Sequence, residues 1–194
     1  MVMDTKLITL PNPHLRQRSK KVGFISNEIA QLIIDMEAAT LDWEATREHE
    51  VGVALAAIQI DQLYRVVVIR NNFDDKSDKT FQVLINPEIT KYEGPVVEDY
   101  EGCLSVRNIY GRVPRHDKVR VKALDATGRE FRLTAEGFLA RVLQHEVDHT
   151  NGIVFIDHIK EIEDAFFMLD KDGRLEPLDY DKEIKHNAEL WPQD

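Results

Sequence analysis

The run His145-Glu146-Val147-Asp148-His149 places two imidazoles four residues apart. On a helix that spacing puts both rings on one face, where they can share a metal ion, while Glu146 turns toward a further partner or a water. Two histidines leave a metal undersaturated, and hydrolytic sites use three protein ligands with a position open for water. Cys103, in Glu101-Gly102-Cys103-Leu104-Ser105, is the sole cysteine and the candidate third ligand. The competing reading makes the histidines surface or hydrogen-bonded core residues and the cysteine a small buried hydrophobe. A lone cysteine cannot form an intrachain disulfide, and a thiolate ligand requires a reducing compartment.

These residues need a helix and a sheet to hold them. Thr134 is the expected N-cap of a helix over about 135–149, with Phe138, Val142, His145 and His149 on one face and Asn151-Gly152 as its stop. An earlier helix is expected over about 27–44, capped by Ser26, with Ile29, Leu32, Ile33, Met36 and Ala39 at helical spacing. Strands fit residues 64–70 and 81–86, joined by the polar excursion 71–79, with 89–92 continuing the sheet. Further strands fit 99–105, 113–124 and 130–133, with Asp125-Ala126-Thr127-Gly128 as a turn. The segment Val51 to Gln59, small and apolar until its final amide, is suited to close packing. Strands followed by a late helix imply an α+β class, a mostly antiparallel sheet around a buried C-terminal metal-binding helix, with a second helix near the N-terminus.

The 194 residues fit one domain with a substantial core. The first ten residues lack the apolar run of a signal peptide and no stretch is long enough to span a bilayer, so a soluble, cytoplasmic protein without a membrane partner is expected. A net charge of −10 argues against broad adhesion to nucleic acid, while leaving room for a local basic patch. From Asp157 onward twelve acidic residues face five Lys or Arg, with Asp172-Gly173 marking a turn and Pro177 a break. This tail either packs or stays mobile.

Taken together, the segments Gly52 to Gln59, Glu101 to Ser105 and Gln144 to His149 resemble, in order and spacing, the three signature motifs of the peptide deformylase family. Those enzymes remove the N-formyl group from the initiator methionine of nascent bacterial and organellar proteins. Leu10-Pro11-Asn12-Pro13 with Leu15-Arg16, Ile85-Asn86-Pro87, and Asn151-Gly152 with Phe155 extend the likeness over roughly residues 5–160. The corresponding division is a catalytic unit over 1–160 and an acidic extension over 161–194.

The resemblance implies one divalent ion held by Cys103, His145 and His149, commonly iron(II) and replaceable by nickel, cobalt or zinc. It makes Glu146 the proton carrier and sets the Leu104 N–H and the Gln59 amide where an oxyanion develops. Read in isolation, Gln59 is a buried amide tying its loop to the sheet. Val53, Phe138 and Val142 would line the methionine pocket, and the backbone of Gly52 to Ala54 would pair with an N-formylmethionyl nascent peptide as an added strand. Arg115 and Asp148 would brace the helix as an ion pair. The sequence departs from the family at Ala54, Ile58, Arg107 and Thr150; Ala54 stands where glycine permits close approach or positive φ. The acidic tail does not support the transient ribosome docking seen where members carry a basic C-terminal helix. A metallopeptidase would instead use a His or Glu as third ligand, and a peptide-binding module would need neither Glu146 nor Gln59.

Overall fold

In the computed structural model, which describes residues 6–191, helix α1 (Asn27–Ala45) begins where the Ser26 hydroxyl accepts a hydrogen bond from the Ile29 N–H at 3.3 Å. Its apolar stripe, including Ile29, Leu32, Ile33 and Met36, packs on Leu55, Val66, Val68 and Ile85 of the sheet. Burying each such side chain contributes about 1.5–3 kcal/mol, which fixes the orientation of α1.

The sheet is antiparallel throughout. Strands β1 (Ala54–Ala56), β2 (Val66–Arg70), β3 (Phe81–Cys103) and β4 (Val106–Leu124) lie side by side in that order. The far edge of β4 is shared: β5 (Glu130–Glu136) pairs with residues 118–124, and β6 (Phe166–Leu169) with Tyr110 and Gly111. Strand β7 (Leu175–Pro177) then pairs with β6. Helix α2 (Gly137–Thr150) follows β5 and packs against β1, β4 and β5.

Four expectations need correcting. Residues 81–103 form one long strand rather than three short ones, because register shifts beside Pro87, Thr90 and Gly94-Pro95 bend the ladder without ending it. Leu104 and Ser105, expected in a strand, make the tight turn between β3 and β4. The fourth strand starts at Val106, well before 113. Thr134 does not cap α2; it pairs with Arg120 inside β5, and the chain enters the helix through Gly137 at φ +58°. Asn151-Gly152 does stop the helix, with Gly152 at φ +78° and its N–H donating to the His149 carbonyl.

The acidic tail packs. Phe166, Ile184 and Leu190 join a buried cluster with Val113, Phe155, Ile156 and Ile159. Among the described residues no helix is long and apolar enough to cross a membrane.

Candidate metal and hydrolytic site

The three expected ligands meet where the end of β3 faces α2. The Cys103 Sγ lies 3.2 Å from His149 Nε2, which lies 3.2 Å from His145 Nε2, and all three atoms fall within 4.8 Å of one another. All three residues are buried. A tetrahedral ion with metal–N near 2.0–2.1 Å and metal–S near 2.3 Å separates its ligand atoms by roughly 3.3–3.6 Å, so this donor set fits a divalent transition metal.

The positions follow from local structure. A helix repeat of 3.6 residues carries His145 and His149 to the same face. The β3–β4 turn fixes the thiol, with the Ser105 N–H donating to Cys103 Sγ at 3.4 Å. His145 Nδ1 pairs with Glu101 Oε2 at 2.9 Å, which turns Nε2 toward the thiol and the other imidazole. Glu101 also accepts from Arg115 Nε at 2.9 Å and from Arg141 Nη1 at 2.8 Å. Arg141 in turn reaches the carbonyls of Val97 and Val113, both at 2.7 Å, locking α2 to β3 and β4. Arg115 Nη1 donates to Asp148 Oδ2 at 2.6 Å, so the expected brace exists.

Glu101, Arg141 and Ser105 carry roles the motifs did not reveal, although two signals were available. Glu101 is two residues from Cys103, hence on the same face of a strand, and Arg141 is one helical turn before His145.

Burial and neighbouring charge shape the site's ionisation. For Glu101 burial opposes the charge, but hydrogen bonds from His145 and Arg115 outweigh it and hold the carboxyl well below the usual carboxylate range. Burial keeps His149 well below its ordinary value, reinforced by His145. Burial also works against protonated His145, yet the Cys103 and Glu101 contacts win and raise it. Burial pushes the Glu146 carboxyl up to about 7. Its Oε2 is buried and has no hydrogen-bond partner among the described residues, the condition of a group awaiting a polar guest.

Gln59, on the short turn Ala57–Ile60, accepts the Ala56 N–H at 2.9 Å and donates to Ser105 Oγ at 3.1 Å and Cys103 Sγ at 3.5 Å. It ties its loop to the β3–β4 turn and at the same time sets its amide beside the ligands.

A cavity of about 410 Å³ opens onto these groups. Val53, Ala54, Phe138 and Val142 line it together with Leu104 and Gln59. Gly52 supports the segment from behind: its N–H donates to Glu44 Oε2 at 2.9 Å, and a Cβ there would stand 2.8 Å from the Thr40 carbonyl oxygen. Ala54 sits in regular strand geometry opposite Ile69 and is not among the positive-φ residues, so its methyl brings no backbone strain. Strand β1 ends the sheet, and its outer edge has no partner strand among the described residues. The remaining departures are accommodated: Ile58 is core, Thr150 is buried with its hydroxyl on the Val147 carbonyl, and Arg107 is exposed.

Comparison with known proteins finds relatives over most of the chain. A family model described as polypeptide deformylase matches residues 5–165. The peptide deformylase of Thermomicrobium roseum is 42% identical over 158 residues, covering 80% of this chain and 85% of that protein. That of Caldicellulosiruptor bescii is 44% identical over 154 residues, covering 79% and 84%. Among solved structures, a peptide deformylase from Legionella pneumophila superposes with a TM-score of 0.70 at 42% identity, covering 79% of this chain and 84% of the other. One from Synechococcus elongatus in complex with actinonin gives 0.70 at 36% identity, covering 80% and 78%.

Proposed function

Because this chain belongs to the polypeptide deformylase family, enzymes that hydrolytically remove N-formyl groups from nascent peptides, we propose that Cys103, His145 and His149 hold the metal on which that hydrolysis depends. The observation that carries the reading is the convergence of these three donor atoms within 4.8 Å beside a buried Glu146 oxygen that has no partner among the described residues.

A divalent ion bound there, iron(II) by family likeness with nickel, cobalt or zinc as substitutes, supplies the Lewis acidity that brings a water toward ionisation at neutral pH. Glu146 takes the proton as the water oxygen attacks the formyl carbon. The Gln59 amide and the Leu104 N–H donate to the oxygen on which charge develops; losing one such donor costs about 3 kcal/mol of barrier. As the carbon–nitrogen bond breaks, Glu146 passes its proton to the departing amine, leaving formate and a free N-terminus. A carboxyl near 7 suits this exchange, since it both accepts and returns a proton near neutrality.

Val53, Phe138 and Val142 are the methionine pocket in this reading, and Gly52 to Ala54 offer the strand edge to the peptide backbone. Residues 1–160 carry the chemistry and 161–194 form an acidic extension; 1–5 and 192–194 of these spans lie outside the described residues. The excess of acidic groups in the extension argues against docking on ribosomal RNA, and the cytoplasm is the expected place of action.

Formate release from a formyl-Met peptide by anaerobically prepared, metal-loaded protein tests the proposal, with acetyl-Met and unformylated peptides as controls. Rapid release from the formyl peptide alone is expected; stoichiometric metal binding without release would overturn it.

A further inference from the structure

Part of the wall of the substrate cavity comes from residues beyond 165, where the family match ends. Leu169, Gly173 and Leu175, from the hairpin formed by β6 and β7, line the same cavity as Cys103 and Glu146. This hairpin is firmly seated. Phe166 is buried, the Phe167 ring meets Tyr100 edge-on at 5.0 Å, and Leu178 donates its N–H to the Phe166 carbonyl at 2.9 Å. Its tip is closed by the Asp170 N–H on the Arg174 carbonyl at 2.8 Å and by Gly173 at φ +78°, which packs against His49.

Strand spacing locates the hairpin relative to the chemistry. Gly102 pairs with Tyr110, and Tyr110 pairs with Phe167. Adjacent strands lie about 4.7–4.9 Å apart, so Phe167 is roughly 9–10 Å from the strand that carries Cys103. An extended peptide covers that distance in about three residues. A chain with its formyl carbon beside Glu146 therefore meets the hairpin with residues that follow the methionine.

Resting on the deformylase reading, we propose that the β6–β7 hairpin is a specificity element that favours an apolar over a polar side chain downstream of formylmethionine. Leu169 and Leu175 are half-buried and, with Trp43, offer apolar surface to the cavity. The segments that meet at the His49–Gly173 contact carry Arg47, Lys171 and Arg174 among Glu48, Glu50, Asp170 and Asp172, with Glu50 paired to Arg47, so their charges largely offset one another and what the hairpin turns to the cavity is its apolar surface.

The test compares kcat/KM for formyl-Met-Leu-Ala and formyl-Met-Asn-Ala peptides, which differ in polarity at nearly equal side-chain shape, in the wild-type chain and in a Leu169→Ala/Leu175→Ala double variant whose melting temperature is also measured. The wild type is expected to prefer the Leu peptide, and the double variant to lose about 10-fold of that preference, mostly through KM. Equal use of both peptides by the wild type would overturn the inference. So would a double variant, folded or destabilised, that slows on both peptides by the same factor, since a merely structural hairpin behaves that way. Absence of formate release from every peptide by the metal-loaded wild type would instead overturn the deformylase reading and take this inference with it.

Discussion

The inner and outer halves of the cavity are built by opposite rules. Around Cys103, His145 and His149, polar side chains are buried and held several times over: Glu101 alone accepts from Arg115, Arg141 and His145. At the rim, Phe138 is 46% exposed and meets Phe73 of the 71–79 excursion edge-on. The other rim pieces are the segment around His49 and the tip of the C-terminal hairpin. The difference teaches that charge is buried where atoms must be placed to within a fraction of an ångström, a costly arrangement justified only by full pairing. The rim needs only shape and adaptable contact.

Replacing Cys103 by Ala breaks the comparison most severely. Metal content should fall to background and formate release by at least about 1000-fold, with the fold retained, because a two-imidazole site is undersaturated. Retained metal at full occupancy would place the third ligand elsewhere. Next, Glu101→Ala removes the partner that orients His145 and leaves Arg115 and Arg141 facing each other. Metal affinity should drop about 10–100-fold in a competitive chelator titration.

The Glu44–Arg70 pair, at 2.7 Å with the Arg70 side chain fully buried, supports Gly52 from outside the ligand set. Glu44→Ala should cost about 3–5 kcal/mol in urea unfolding. Burial opposes ionisation of Glu44, but Arg70 and the Gly52 N–H prevail and hold its carboxyl below the usual value. With a depressed folded value, the stabilisation is present above the unfolded pKa of about 4.3 and is lost as pH falls below it. The stability gap between wild type and Glu44→Gln should therefore narrow from pH 6 to pH 3.5; a gap that widens in acid would contradict the pairing. At the rim, Phe138→Ala should change stability by under about 1 kcal/mol and raise KM while leaving metal content unchanged, in contrast to Cys103→Ala and Glu101→Ala.

How much of this was legible in the sequence follows the same division. Spacing alone is enough to bring His145 and His149 together, because a helix repeat is rigid, and α1 was readable from its cap and stripe. Glu101 and Arg141 were hidden, since Glu101 follows Glu98, Asp99 and Tyr100 on an exposed stretch of strand and a lone guanidinium on a helix is usually solvated, so both look like surface charges until their partners are known. The hairpin was hidden by composition: Phe166, Leu169 and Leu175 sit among so many acidic residues that the segment reads as tail. Pro87 and Gly94 hid the length of β3, because bulges absorb residues that usually end strands.

The central claim is that Glu146 moves the proton while Cys103, His145 and His149 hold the metal. Its most direct test is metal content and formate release measured together on Glu146→Ala. The account predicts full metal occupancy with turnover reduced about 100- to 10,000-fold. Wild-type-like turnover at full occupancy would contradict it.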